Sequence, residues 1–141
     1  NHDMVGYNYR MPNINAALGL AQIENLNKFI QLKRKLYVMY SEVFQSIEFV
    51  NLFSEPKGCN SNYWLQTIIL EKNKRHLKDE ILKHNHDNGI NTRPAWKPLH
   101  TLKPFKSFPR SSMNNTLSLY ERIINLPSSP SLIYDYKNGK D

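Results

Sequence analysis

The chain has 141 residues, of which 40% are hydrophobic and 22% charged, with a net charge of +7. That length supports one domain with a real core, and the composition excludes a largely disordered chain. No run approaches the ~18 apolar residues of a membrane span, and the opening Asn1-His2-Asp3-Met4-Val5 lacks the basic and apolar regions of a signal peptide.

Residues 1–12 hold Gly6 and Pro12 around the segment Gly6-Tyr7-Asn8-Tyr9-Arg10. Two tyrosines, an amide and an arginine so close together are costly to leave unpaired, so this loop is expected to lie against a surface. Pro12 suits the first turn of a helix, where its missing N–H is no loss. Ile14, Leu18 and Ala21, then Ile23, Leu26 and Ile30, repeat at helical spacing. Ala16, Ala17, Gly19 and Ala21 make one side thin enough for a close neighbour. The pattern runs on through Leu32, Leu36, Met39 or Tyr40, Val43 and Ile47, so residues 13–47 read as one long helical segment, bent or broken near Asn25–Asn27. A stripe of this kind is more often core than a partner-binding groove.

Phe49–Leu52 reads as a short strand, Glu55–Gly58 as a turn, and Tyr63–Leu70 as a strong strand rich in aromatic and β-branched residues. Residues 74–88 read as a helix stopped by Asn88-Gly89, and residues 89–93 as a strand ending at Pro94. A stiff, proline-rich stretch follows over 94–110, then a last helix over about 112–124, ended by Leu126-Pro127. The tail, residues 134–141, is polar and expected to fray. The whole reads as α/β in the broad sense, a two-layer α+β fold with a small sheet and helices on one face.

Most catalytic signatures are missing. His84-x-His86 with Asp87 lacks further ligands, and on a helix residues two apart point to different sides, so no metal site is expected. There is no nucleophile elbow and no glycine-rich phosphate loop, and no His lies within helical reach of Cys59. As the single cysteine, Cys59 allows no internal disulfide, which makes a reducing cytoplasm the default compartment. Nineteen Lys and Arg against twelve acidic residues favour anionic partners, but the basic residues are dispersed.

Two clusters remain: Gly6–Arg10, and Asn91-Thr92-Arg93-Pro94-Ala95-Trp96-Lys97-Pro98-Leu99-His100. Each sets Arg and amide donors beside aromatic faces on a stiffened loop, which suits phosphate and a sugar or base. The alternative, that Tyr7, Tyr9 and Trp96 are core anchors, has equal weight on the chemistry alone.

The stretch His2–Gln22, with its Gly6-Tyr7-Asn8-Tyr9-Arg10-Met11-Pro12 core, resembles the DegT/DnrJ/StrS family of sugar-nucleotide aminotransferases. Asn60-Ser61-Asn62-Tyr63-Trp64, Arg93–His100 and Asn125-Leu126-Pro127-Ser128-Ser129 add three further matches, most like the subgroup acting on 4-keto sugars in legionaminic-type pathways. The resemblance implies the C-terminal small domain of a fold-type I, aspartate aminotransferase-like enzyme, with a long interdomain helix. It also implies pyridoxal 5'-phosphate as cofactor, a nucleotide-linked keto sugar as substrate, glutamate as usual amino donor, and a homodimer with sites at the subunit boundary. By motif match, Asn8 contacts the cofactor phosphate of the opposite subunit, and Tyr9 and Arg10 lie near the sugar nucleotide. Arg93, Trp96 and His100 are the expected contacts on the substrate-entrance loop.

No lysine here stands in the family's cofactor-lysine motif, and residues 134–141 do not read as the family's last amphipathic helix. The chain alone is therefore expected to be inactive, its cofactor unbound. Two other readings stay open: a dehydratase of the same family, in which histidine replaces that lysine, and a basic nucleic-acid-binding module.

Overall fold

The computed structural model describes residues 4–133; the polar tail expected over 134–141 lies outside them, as do His2 and Asp3 of the first motif. The chain opens with an extended segment and two consecutive helices, α1 (Asn13–Glu24) and α2 (Leu26–Phe44). The expected break falls at Asn25, whose backbone leaves helical geometry while its side-chain amide donates to the Ala21 carbonyl at 2.9 Å. An Asn that satisfies the preceding turn's carbonyl competes with helix propagation, which makes this a natural joint.

Four strands form one antiparallel sheet in the order β1-β2-β4-β3: β1 (Val50–Leu52), β2 (Gln66–Leu70), β3 (Arg93–Pro94) and β4 (Ile123–Leu126). Between them lie a 3-10 segment (Lys72–Leu77), α3 (Lys78–Asp87) and α4 (Asn114–Tyr120). Strand residues alternate between faces, so Ile68 and Leu70 of β2 share a face with their neighbours Ile124 and Leu126 of β4. These four form the buried core, covered by Tyr40 and Phe44 from α2 and by Ile81 and Leu82 from α3. Sheet and helices thus make the two layers expected of an α+β fold.

The end of α3 follows the sequence reading closely. Gly89 has a φ of +74°, its N–H donates to His86 O, and the Ile90 N–H donates to Asn85 O. This pair of bonds is the Schellman arrangement, which needs a residue at positive φ after the last helical turn. Because Gly89 and Ile90 are used by this cap, the strand expected over 89–93 shrinks to Arg93–Pro94. Proline is tolerated there because β3 is an edge strand.

Two expectations need correction. The strong strand begins at Gln66 rather than Tyr63, because Tyr63 takes a left-handed backbone with φ 45°. The last helix does not reach residue 124: α4 stops at Tyr120, and Ile123–Leu126 is a central strand of the sheet. Leu117, Tyr120 and Ile124 fit a helical period, but Ile123-Ile124 is β-branched and pairs with β2. Tertiary pairing outweighs the short-range period.

The long helical segment is not uniform. Leu36 of α2 is buried, whereas no residue of α1 is. Ile14, Leu18 and Ile23, which read as a core stripe, are exposed, as are Ala16 and Ala17 on the thin side.

Candidate substrate cleft

The site is built on α2. Arg34 and Lys33 are adjacent in sequence and both hold one loop, residues 53–65. The Arg34 guanidinium pairs with Glu55 through both of its terminal nitrogens, and also donates to Asn60 Oδ1 at 2.9 Å and to the Ser61 carbonyl at 2.6 Å. The Ser61 N–H donates to Glu55 in turn. Its hydrogen bond with Arg34, then the Ser61 N–H, holds the Glu55 carboxyl below the ordinary carboxylate pKa, and Glu55 raises that of Arg34.

Lys33 acts on the residues that follow. Its ammonium donates to the carbonyls of Tyr63 and Trp64, each at 3.2 Å, and to the carbonyl of Ser128. All three donors of the ammonium are thereby used. Lys33 pairs with no carboxylate among the described residues, so its charge is balanced by carbonyl dipoles. Burial lowers its pKa. One turn further along α2, Tyr37 stacks on Tyr63 with ring centroids 4.4 Å apart, and the Tyr40 hydroxyl donates to the Pro127 carbonyl at 3.0 Å.

These contacts over-determine the left-handed Tyr63. Non-glycine residues take this conformation at a cost, and it persists where the surroundings fix it. The N–H groups of Tyr63 and Trp64 donate to Ser61 Oγ and Asn62 Oδ1, both at 3.0 Å, while their carbonyls meet Lys33. The outcome is a turn that projects the Trp64 ring outward, 65% exposed, onto Trp96, with centroids 5.8 Å apart and planes 23° from parallel.

Beside Trp64 lies a cleft of about 510 Å³, lined by Lys33, Asn91, Arg93, Asn125 and the Pro127–Pro130 turn. A second, more apolar cleft of about 470 Å³ adjoins it, sharing Lys33, Trp64 and Ser129 and bounded by Leu26, Phe29 and Ile30. Arg93 reaches the first cleft through the sheet. Asn125 is its partner on β4, accepts a hydrogen bond from the Thr67 hydroxyl at 2.9 Å, and donates to the Pro94 carbonyl. A buried amide therefore fastens the two-residue edge strand that carries Arg93.

The residues expected at the site are brought together in part. Arg93 lines the cleft, and Trp96 joins it by stacking on Trp64. His100 sits in a one-turn 3-10 segment, Leu99–Thr101, and lines neither cleft. Asn8, Tyr9 and Arg10 also line neither; they lie in the exposed N-terminal segment, where the Arg10 N–H donates to Asn8 Oδ1 at 3.0 Å and Tyr7 lies 6.2 Å from Tyr9. Tyr7, Tyr9 and Trp96 are 84%, 88% and 71% exposed, so none is a core anchor within this chain. Two contributors were not among the expected site residues. Trp64 belongs to the Asn60–Trp64 motif, to which no role attached, and Lys33 is one of the dispersed basic residues; their link spans 31 residues, beyond any local spacing rule.

Among the described residues no group of three or more His, Cys, Asp or Glu could hold a metal ion, and no helix is long and apolar enough to cross a membrane.

Comparison with known proteins places this geometry. The chain is 35% identical over 137 residues to a GDP-perosamine synthase of Vibrio cholerae, covering 95% of this chain and 36% of that protein. It is 39% identical over 131 residues to the GDP-perosamine synthase of Escherichia coli O157:H7, covering 93% of this chain and 35% of that one. Among solved structures, Helicobacter pylori PseC, an aminotransferase involved in the biosynthesis of pseudoaminic acid, superposes with a TM-score of 0.84 at 21% identity, over 98% of this chain and 38% of its own. The chain thus spans about a third of the length of these relatives, and it shares its fold with the matched part of that aminotransferase. A model of the DegT/DnrJ/EryC1/StrS aminotransferase family matches residues 1–137, and the chain belongs to that family.

Proposed function

We propose that this chain is the C-terminal portion of a pyridoxal-phosphate-dependent aminotransferase that aminates a nucleotide-linked keto sugar for surface-polysaccharide or nonulosonic-acid biosynthesis. In this reading residues 1–12 form an active-site loop, 13–47 a helical segment between domains, and 48–133 the small domain. The observation that carries it is the level of identity, 35% and 39% over nearly the whole chain, to two proteins named GDP-perosamine synthase. The exposed N-terminal segment and α1 support it, since Val5, Tyr7, Tyr9, Ile14 and Leu18 offer apolar surface that a larger assembly would cover.

The residues present fit one part of a cofactor site. Asn8 spends its Oδ1 on the Arg10 N–H, which leaves its NH2 group available to a phosphate oxygen. Neither Lys33 nor the buried Lys78 is available as the covalent amine: Lys33 is bound to three carbonyls, and Lys78 donates to the Tyr120 carbonyl and lies over the Tyr120 ring. That amine is assigned to another part of the protein, so the chain alone is inactive. When bound, the cofactor supplies the electron sink through which an amino group passes from glutamate to the keto carbon. This chain's residues bind and orient. Arg93 offers a fixed cation to the diphosphate, Trp96 a flat apolar face, and His100, Tyr9 and Arg10 polar contacts around the sugar nucleotide, while Asn8 serves the opposite subunit of a cytoplasmic homodimer.

The test compares the 141-residue chain with the complete protein. The complete protein should take up pyridoxal phosphate with a visible absorption band and transfer nitrogen from glutamate to a nucleotide-linked keto sugar. The chain alone should do neither. A complete protein that loses water from the sugar without gaining nitrogen would move the reading to a dehydratase. Tight, sequence-dependent nucleic-acid binding by the chain would favour a nucleic-acid module instead.

A further inference from the structure

Resting on that reading, we infer that Lys33 is a positioning residue: by clamping the carbonyls of Tyr63, Trp64 and Ser128 it locks Trp64 against Trp96 beside Arg93, forming an aromatic shelf for the nucleotide sugar.

Three observations converge on this assignment. The clamp joins segments far apart in sequence, since Lys33 lies 30 residues from Tyr63 and 95 from Ser128. It acts where the backbone is strained, at the left-handed Tyr63, so the carbonyls of Tyr63 and Trp64 converge on one ammonium only while that conformation holds. It also stands between two clefts, lining both together with Trp64. With its donors occupied, Lys33 has no N–H left for substrate and acts through the ring it positions. Arg34 next to it ties Glu55, at the start of the same loop, to Asn60 and Ser61 just before Tyr63, so the two cations hold one loop together.

A stacked indole pair gives an exciton couplet in the circular dichroism of the chain, which reads the shelf directly. Replacing Trp96 with Phe should abolish the couplet and so define its origin. Lys33→Met, which keeps the apolar stem and removes every donor, should reduce it at least twofold while the far-ultraviolet spectrum is retained. Lys33→Arg should restore most of it. In the complete enzyme, Lys33→Met should raise the KM for the nucleotide sugar about tenfold, with kcat within twofold and the KM for glutamate unchanged.

An undiminished couplet in Lys33→Met would overturn the inference, as would a fall in kcat with KM unchanged. Should Lys33→Met fail to fold, Lys33→Gln, which keeps two donors on a shorter stem, should show an intermediate couplet. Unfolding of both variants would assign Lys33 to global stability and equally overturn the proposal. The couplet is read without turnover, so an enzyme that aminates no nucleotide sugar would defeat the functional reading while leaving the Lys33–Trp64 clamp separately judged.

Discussion

The two halves of the helical segment differ sharply in what they rest on. From Leu26 onward the chain has a core: α2 packs Tyr40 and Phe44 onto Ile68, Leu70, Ile124 and Leu126, and its polar face grips two loops through Lys33, Arg34 and Tyr40. Before Asn25 the chain has helix without burial: α1 carries Ile14, Leu18, Leu20 and Ile23, all exposed. A helix apolar on several sides is ordinarily buried, whereas α1 is exposed within this chain, in keeping with the proposed cover by the rest of a larger protein. The comparison separates helix packed on a core from helix left exposed.

The largest effect should come from the core. Ile124→Ala or Leu70→Ala, both at side chains with no exposure, should cost ~2–5 kcal/mol in urea unfolding of the chain. Ile14→Ala or Leu18→Ala should change it by no more than ~0.5 kcal/mol, as for ordinary surface substitutions. Equal losses on both sides of Asn25 would erase the contrast.

Next is the fastening of the edge strand. Asn125→Ala removes the amide that joins Thr67 and the Pro94 carbonyl, and should cost ~1–3 kcal/mol. Hydrogen exchange should quicken in the segment around Arg93, while amides of α1 keep their rates.

The acid response should also belong to the second half. Glu55 has a lowered folded-state pKa, so its contribution is complete above the ordinary value of 4.5 and is lost as pH falls through the lower folded value. Glu55→Gln should flatten that part of the stability–pH curve, and removal of residues 1–12 should leave it unchanged.

The smallest effect is a gain. A Cβ at Gly19 meets nothing within 4 Å, so Gly19→Ala should strengthen α1 by ~0.5–1 kcal/mol in this chain, seen as added helicity. In the complete enzyme, where the thin side is proposed to meet a neighbour, the same methyl should lower stability. A gain in both settings would show that the small-residue face is simply solvated.

Local patterns foretold much of the fold because they rest on short-range physics. The joint at Asn25, the cap at Asn88-Gly89 and the strand Ile68–Leu70 depend on side chain–backbone competition, positive φ and β-branching, all readable within a few residues. The family motifs marked the Arg93 and Trp64 loops, though without saying that they meet. β4 was misread because a helical and an extended spacing coexist in Leu117–Leu126, and only pairing with β2 chooses between them. The same limit hid Lys33, whose role depends on carbonyls brought to it by folding.

Sequence alone therefore determined the class of fold, the joint at Asn25, the cap at Asn88-Gly89 and the family, each carried by neighbouring residues. Tertiary structure alone decided which face of the helical segment is core, that Ile123–Leu126 is a strand, and that Lys33, Trp64, Trp96 and Arg93 share one cleft. The reason is physical: burial and hydrogen-bond closure are properties of contacts between distant segments, and no periodicity within a segment contains them.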